Sequence, residues 1–324
     1  MSAPDISFII AAFNAAATIE PAIASALAQH GVTVEVLVVD DCSRDDTAAR
    51  VAALAQSDPR IVLIRQDRNA GPSAARNRGM AAARGAWIAI LDADDLLLPE
   101  RSGKLLALAR QSAGEIVADN AMRFLDEQPE VTWPLLPRTD DDRTFVVDIV
   151  SYLRGNVMTA GDSNLGYLKP VLSRAFLRAH DIAYDERLRI GEDLNFALRA
   201  LGAGARFLVT TEPFYRYRVV SGSLSRTLRP ADLDALLEAN DHALAGRLED
   251  PRVKVAHAAF RRSVADLMAY SQFRGTLRQK DWRAALRLVT DPRLWLTMRQ
   301  MIANANQRRR AQRDAQRGAA KGRA

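Results

Sequence analysis

The sequence is poor in the side chains that cross-link chains or bind soft metals. Its 324 residues include one cysteine, Cys42, and four scattered histidines. A single cysteine excludes an intrachain disulfide, and so few cysteine and histidine ligands argue against a structural zinc site. A chain without disulfides fits a reducing compartment, so we expect a cytoplasmic protein.

Long apolar runs and glycine-rich phosphate loops are also missing. No stretch approaches the roughly eighteen uninterrupted apolar residues of a membrane-spanning helix. The opening MSAPDISFIIAAFN has no positively charged segment before its short apolar run, so we expect no signal peptide. No G-x-G-x-x-G follows the first predicted strand, and no G-x-x-x-x-G-K-[ST] occurs anywhere. These absences argue against dinucleotide dehydrogenases and P-loop nucleotidases.

The excess of positive charge is confined to one end of the chain. The sequence has 45 Lys and Arg against 39 Asp and Glu, a net charge of +6. Residues 308–324 contain seven of the basic residues and one of the acidic ones, so residues 1–307 are formally neutral. The body therefore has no general attraction for polyanions, and no nucleic acid partner is expected.

Strand and helix patterns alternate through the first hundred residues. Short apolar runs rich in Val and Ile predict strands at 6–13, 34–41, 60–66 and 86–95, and amphipathic spacing predicts helices at 18–29, 44–56 and 71–84. This alternation predicts right-handed βαβ units and a parallel sheet with helices on both faces. The later pattern predicts a helix at 99–112, a strand at 115–125, a Pro- and Asp-rich loop at 126–144, a helix at 191–204, a strand at 206–220 and helices from 229 onward.

Acidic residues follow two of these strands. Asp40 and Asp41 end the second strand, and Asp92, Asp94 and Asp95 end the fourth. The carboxyl ends of parallel strands meet at one edge of a sheet, where ligands bind. Crowded carboxylates resist burial unless a positive charge lies between them, and Mg²⁺ or Mn²⁺ with phosphate oxygens would supply that charge. The alternative is that these acids cap helices or make Asx-turns.

Five segments, in order and spacing, resemble the successive motifs of family 2 glycosyltransferases with the GT-A fold. They are ISFIIAAFN, VEVLVVDDCSRDDT, NAGPSAARNRGM, IAILDADDLLLP and IGEDLNFALRAL, and the resemblance covers about residues 5–225. It implies a Rossmann-like, mostly parallel mixed sheet flanked by helices. It implies that Asp41 binds the base, that Ala11 and Phe13 line the nucleotide pocket, and that Arg76 lies near the diphosphate. Asp40 would support Asp41.

The same resemblance assigns the remaining site residues. Asp92 and Asp94 match the Asp-x-Asp motif, with Asp92 on the nucleotide side and Asp94 as the direct metal ligand. Asp95 is similar to a residue that faces the sugar or the ion. Asp193 matches the catalytic base, which deprotonates the acceptor hydroxyl, and Glu192 is placed to position the acceptor. The pair would also serve simply as a helix N-terminus, where the helix dipole favours acids.

One position departs from the family pattern. Val220 occupies a place where the family often has a histidine that approaches the metal or the diphosphate, and valine cannot coordinate. Either Asp94 and the diphosphate suffice, or nearby polar side chains compensate. The candidates are Arg216, Arg218, Ser223 and Ser225.

Taken together, the patterns predict three regions in the chain: a catalytic domain over 1–225, a helical region over 226–307 and a disordered basic tail over 308–324. Trp282, Trp295 and several leucines near this tail fit an interfacial helix on anionic lipid, peripheral to the inner face of the cytoplasmic membrane. They fit a buried helical hairpin equally well.

The function expected from the resemblance is an inverting, metal-dependent hexosyltransferase. It would move a sugar from a nucleotide diphosphate, with UDP expected, to a hydroxyl of a saccharide or lipid-linked oligosaccharide in bacterial exopolysaccharide synthesis. Mn²⁺ or Mg²⁺ is the expected cofactor. The alternatives are an inactive scaffold that binds sugar nucleotides and a sugar-1-phosphate nucleotidyltransferase. The second would require a glycine-rich, basic loop after the first strand, and AAFNAAATI has none.

Overall fold

The computed structural model describes residues 3–137, 143–158, 164–219 and 229–321. The expectations about Val220, Ser223 and Ser225 therefore concern positions outside the described residues.

The N-terminal part of the sheet is built from three βαβ units. Its elements are β1 (Ile6–Ala12), α1 (Ile19–Leu27), β2 (Val34–Asp40), α2 (Thr47–Ser57), β3 (Ile61–Arg65), α3 (Pro72–Ala82) and β4 (Trp87–Ile90). The strands pair in parallel in the order β3-β2-β1-β4, with Phe8 opposite Val36 on one side and Ala89 on the other. β1 and β2 are apolar along nearly their whole length because helices cover both faces of the sheet.

The second part of the sheet is mixed. It contains β5 (Leu96–Leu97), α4 (Arg101–Ser112), β6 (Ile116–Leu125), β7 (Gln128–Pro134), β8 (Thr144–Val147), α5 (Ile149–Gly155), a 3₁₀ turn (Leu165–Tyr167), β9 (Val171–Ser173), α6 (Arg174–Ala179), α7 (Glu192–Gly202) and β10 (Phe207–Val219). Beyond β4 the order continues β9-β6-β10-β5. β9 runs antiparallel to both its neighbours, whereas β10 runs parallel to β6. The mixed sheet flanked by helices confirms the predicted fold class.

The predicted loop over 126–144 is wrong in its first half, because residues 128–134 form β7. This strand pairs antiparallel with β6. Pro129 and Pro134 made the segment look like a loop, since proline cannot donate to a sheet. In the described sheet β7 pairs with β6 alone, so it lies at an edge where a missing N–H is tolerated.

The C-terminal region is helical, as predicted. It consists of α8 (Pro230–Ala243), α9 (Pro251–Arg278), α10 (Trp282–Leu288) and α11 (Pro292–Lys321). Leu236 of α8 and Phe260 of α9 belong to the same hydrophobic core as the sheet, so these helices pack on the rest of the fold. A second, smaller core joins Phe273, Ala285 and Leu294.

The tail differs from the disordered segment expected from residue 308. α11 continues through Lys321, and Gln316 hydrogen-bonds Gln128 of β7. Alanine, glutamine and arginine, which dominate this stretch, are all strong helix formers. No helix in the described part of the chain combines the length and the hydrophobicity that crossing a bilayer requires.

Candidate active site

Ionisable side chains from four parts of the chain converge at the carboxyl edge of the parallel strands. Arg76 comes from α3, Asp92 follows β4, Lys169 precedes β9, and Glu192 and Asp193 open α7. Gly191, immediately before α7, adopts φ +71°, a conformation that glycine enters without strain. This turn places the two acids in the first turn of the helix, where the helix dipole favours negative charge.

Two cations each bridge Asp92 and Asp193. The Lys169 ammonium lies 2.8 Å from one oxygen of Asp92 and 2.6 Å from one oxygen of Asp193. The Arg76 guanidinium lies 3.0 Å from the second oxygen of Asp92 and 3.3 Å from the second oxygen of Asp193. Both carboxylates are thus held at both oxygens by formal positive charge.

Further contacts complete this network. Arg76 also pairs with Glu192 at 2.9 Å, and its guanidinium lies over the Tyr184 ring. The Tyr184 hydroxyl donates to Asp193 at 3.0 Å. The Arg76 Nε is buried without a partner among the described residues. In this structure Arg76 therefore binds three carboxylates, those of Asp92, Glu192 and Asp193.

The pKa values follow from this pairing. Burial alone would raise the pKa of Asp92, but Lys169 and Arg76 outweigh it and lower the pKa to about 2. Burial likewise opposes ionisation of Asp193, yet Arg76 and Lys169 hold the pKa of its carboxyl below the usual range. Burial and the neighbouring Asp193 raise the pKa of Glu192. Asp193 is therefore ionised at neutral pH, in the state that a general base requires.

Asp94 differs from its neighbours. Among the described residues no cationic group lies within 4 Å of its carboxylate, and Arg218 contacts its backbone carbonyl at 2.6 Å instead. Burial, followed by repulsion from Asp92, raises the pKa of Asp94. The Asp94 carboxylate is partly exposed and has no ion pair among the described residues. Of the three acids after β4, it is therefore the one whose oxygens remain available to a cation.

Asp95 has surroundings that were not expected from the motif. It is buried, and its carboxylate accepts from the Tyr215 hydroxyl and the Arg218 amide, both at 2.7 Å. Burial, Asp92 and Asp94 together raise its pKa well above the usual range. Its two oxygens thus anchor β10 to the turn after β4.

Asp40 and Asp41, at the end of β2, form a second acidic group, which has no cationic partner in the part of the chain that the structure describes. The Asp41 carboxylate accepts from the amides of Ala70 and Gly71, at 2.7 and 2.8 Å, and from the Gln66 side chain at 2.6 Å. Gly71 adopts φ +89°, which turns its N–H toward Asp41 just before α3 begins. Asp40 is buried, and one of its oxygens has no partner among the described residues.

Ala11 and Phe13 lie at the end of β1, beside this second group. The β1–β2 pairing sets Ala12 opposite Asp40, and the Asp41 amide donates to the Ala12 carbonyl at 2.8 Å. The Phe13 side chain is 47% exposed although it is aromatic, and Ala11 is half-buried. An exposed ring beside carboxylates offers a stacking surface for a flat polar ligand.

The residues that could hold a metal are fewer than the motif suggested. Within the described ranges no group of three or more His, Cys, Asp or Glu side chains has the geometry of a metal site. The charge that offsets Asp92 here comes from Lys169 and Arg76. Mg²⁺ commonly uses only one or two carboxylates together with substrate phosphates, and Asp94 fits that donor set.

Sequence reasoning missed Lys169 and Tyr184. Neither belongs to a recognised motif, and both come from segments between the motifs. One signal was available: Lys169 stands in GYLKPVL, where a lysine precedes a proline and a buried strand. Buried lysines are rare unless they are paired, so a lysine in such a setting implies acidic partners.

Comparison with known proteins gives three relevant similarities. Residues 7–176 match the family described as glycosyl transferase family 2. The succinoglycan biosynthesis protein ExoO of Rhizobium meliloti (strain 1021) is 42% identical over 247 residues, covering 74% of this chain and 67% of that protein. ExoU, a second succinoglycan biosynthesis protein of the same strain, is 38% identical over 251 residues, covering 75% of this chain and 70% of the relative.

A solved structure shows the same fold at lower identity. TarS residues 1–349 of S. aureus, in complex with UDP-GlcNAc, superpose with a TM-score of 0.59 at 16% identity, covering 88% of this chain and 90% of that one.

Proposed function

The chain belongs to glycosyl transferase family 2 and is a glycosyltransferase; from this premise we propose that it transfers a sugar from a nucleotide diphosphate to a hydroxyl group with inversion at the anomeric carbon. The observation that carries the proposal is that the Lys169 ammonium binds both Asp193, at the start of α7, and Asp92 of the Asp-x-Asp segment. Lys169 and Arg76 bring a base and a donor-side carboxylate to one place.

Asp193 is the proposed base. The acceptor oxygen attacks the anomeric carbon while the bond from that carbon to the diphosphate oxygen breaks. The bonding electrons leave with the diphosphate, and the hydroxyl proton passes to Asp193. Because Asp193 is ionised and held at both oxygens, it can receive this proton in a fixed orientation. Glu192, whose pKa is raised, is the proposed group for positioning the acceptor.

Asp94 is the proposed protein ligand for Mn²⁺ or Mg²⁺. Its carboxylate lacks a cationic partner within 4 Å among the described residues, which fits a site completed by phosphate oxygens. Such an ion would neutralise charge on the departing diphosphate. Of the two described candidates for the role that the family often gives to a histidine, Arg216 contacts the Pro129 carbonyl and Arg218 contacts the Asp94 carbonyl, so Arg218 is the one proposed.

The proposed nucleotide pocket lies between β1 and the turn before α3. The exposed Phe13 ring would stack on the base, and half-buried Ala11 would let the nucleotide approach β1. Asp41 already accepts three hydrogen bonds, which leaves room for about one more on a carboxylate with four lone-pair sites. UDP is the proposed donor nucleotide, supported by the UDP-GlcNAc complex of TarS, which has the same fold.

The proposed acceptor is a saccharide or a lipid-linked oligosaccharide in exopolysaccharide synthesis. The support is the identity of 42% and 38% with two succinoglycan biosynthesis proteins. We propose residues 1–225 as the catalytic region, 226–307 as a helical region and 308–324 as a basic extension. This division is one of function, because α8 and α9 share the core of the sheet.

We also propose that α10 and α11 bind an anionic membrane surface. Trp282 and Leu286 of α10, and Trp295 and Leu296 of α11, are each more than half exposed. The nearby arginines, such as Arg287 and Arg293, would contact lipid phosphates.

Vesicle sedimentation tests this surface. The wild type should sediment with phosphatidylglycerol vesicles and not with phosphatidylcholine, and Trp295→Asp should abolish sedimentation. Val255, which is equally exposed on α9, provides the control Val255→Asp. Equal sedimentation of both variants with the wild type would rule out this surface.

A thermal-shift panel tests the donor site. UDP-, GDP- and TDP-sugars are added with and without Mn²⁺ to the wild type and to Asp94→Asn. We expect a shift with UDP-sugars that depends on Mn²⁺ and is lost in Asp94→Asn. A shift that is independent of the metal and unchanged in Asp94→Asn would contradict the assignment of Asp94. Binding without any release of UDP would favour the inactive scaffold.

A further inference from the structure

Lys169 is fixed from both sides in the interior of the site. The residue is 6% exposed and its ammonium contacts Asp92 and Asp193. Its backbone carbonyl accepts a hydrogen bond from Arg101, a fully buried residue that pairs with Asp119 of β6 at 2.8 Å. The lysine is therefore held to the sheet through its main chain and to the acids through its side chain.

The ammonium joins the two sides of the proposed reaction. Asp92 belongs to the donor-side Asp-x-Asp segment, whereas Asp193 is the proposed base on the acceptor side. One oxygen of Asp193 is set by Lys169, and the other is set by Tyr184 and Arg76. Removing the ammonium would leave the first of these oxygens without a partner among the described residues, so the carboxylate could rotate.

We propose that Lys169 is a positioning residue for sugar transfer, which holds the Asp193 carboxylate in a fixed position and orientation relative to the donor-side Asp92. The proposal rests on the proposed function, in which Asp193 is the base. A lysine suits this task because its compact ammonium carries three N–H donors, enough to serve both converging carboxylates.

Steady-state kinetics and UDP binding separate positioning from donor binding. The donor is whichever of UDP-glucose, UDP-galactose and UDP-GlcNAc the wild type turns over fastest with Mn²⁺, and UDP release is followed. UDP affinity is measured by calorimetry. In Lys169→Met we expect kcat to fall about 100-fold, because misplacing a catalytic group by about 1 Å has an effect of that size. UDP affinity should stay within about threefold, and Lys169→Arg should recover part of the lost kcat.

A double-mutant cycle tests whether Lys169 acts through Asp193. We expect Asp193→Asn with Lys169→Met to be no slower than Asp193→Asn alone. Lys104→Met is the matched control, because Lys104 of α4 also pairs with an acid, Glu212 of β10, at 2.8 Å. This substitution should leave kcat unchanged. Thermal melts monitor folding, and Lys169→Gln replaces Lys169→Met in the cycle if the methionine variant does not fold.

Three outcomes would overturn the inference. They are an unchanged kcat in Lys169→Met, a loss confined to UDP affinity, and additive losses in the double mutant. Failure of the proposed function is distinguishable: Asp193→Asn would then turn over like the wild type, whatever Lys169→Met does. An inactive Asp193→Asn with an unaffected Lys169→Met refutes the positioning role alone.

Discussion

Two groups of acids lie at the same edge of the sheet, and they are stabilised in different ways. Asp41 is held by the backbone amides of Ala70 and Gly71 and by Gln66. Asp92 and Asp193 are held by the side-chain cations of Lys169 and Arg76. We call the first the amide-held group and the second, with Glu192, the cation-held group.

The difference predicts different roles. Backbone amides are fixed by the fold, so an acid that they bind stabilises the local structure even where, as proposed for Asp41, it also binds a ligand. Side-chain cations can be shared with an incoming anion such as a diphosphate, so acids that they bind can change partners during a reaction. Substitutions in the amide-held group should therefore reduce stability first, and those in the cation-held group should reduce activity first.

The largest expected effect is on catalysis, in the cation-held group. Asp193→Asn removes the proposed base and should lower kcat about 1,000-fold, which corresponds to about 4 kcal/mol of activation free energy. The free energy of unfolding should change little, because two cations then face two remaining carboxylates. UDP release and urea unfolding measure the two quantities. If Asp193→Asn instead lost much stability and turned over normally, the cation-held group would be structural, contrary to this prediction.

The second effect is on stability, in the amide-held group. In Asp41→Asn one oxygen becomes an NH₂ group that faces N–H donors, so the buried turn before α3 loses acceptors. We expect the free energy of unfolding to fall by about 2–3 kcal/mol. Urea denaturation checks this value, and Asp46→Asn, an exposed acid whose side chain makes no capping hydrogen bond at the start of α2, is the control. A fall below about 0.5 kcal/mol would show that the amides do not depend on the carboxylate.

The third effect appears in acid. Lys169 and Arg76 overcome the effect of burial and lower the pKa of Asp92 from 3.8 to about 2. Between pH 3.8 and about pH 2, Asp92 is mostly protonated in the unfolded chain and mostly ionised in the folded protein. The contribution, about 2 kcal/mol, is therefore complete above about pH 4 and is lost as the pH falls through 2. Urea unfolding from pH 5 to 2.5 should show a smaller acid dependence in Asp92→Asn, and identical curves would contradict the pairing.

The smallest effect concerns the turn of the amide-held group. Gly71→Ala places a side chain at φ +89°, where it meets no neighbouring atom within 4 Å but strains the backbone. We expect a loss of about 1 kcal/mol. Gly246→Ala, also in open space, is the control and should lie within about 0.5 kcal/mol of the wild type. Equal melting temperatures for both variants would show that the turn relaxes.

The sequence was informative where local patterns decide the structure. The βαβ units of the first hundred residues follow from apolar runs and turn signals, and the structure has them. β7 was missed because its two prolines are typical of loops. A strand tolerates them here because β7 lies at the edge of the sheet. Lys169 and Tyr184 were missed because their acidic partners are distant in sequence: Lys169 meets Asp92 across 77 positions, and no periodicity reports such a pairing.

The contact between Tyr215 and Asp95 has a consequence for synthesis of the chain. The Tyr215 hydroxyl donates to a carboxylate that precedes it by 120 residues. A ribosome adding about 5–20 residues per second needs roughly 6–24 s to cover that interval. At the start of this interval the Asp-x-Asp turn and Arg76 have been synthesised, whereas Lys169 and β10 have not. The first half of the sheet can form early, whereas the acidic turn completes its contacts only after Val219 has left the exit tunnel.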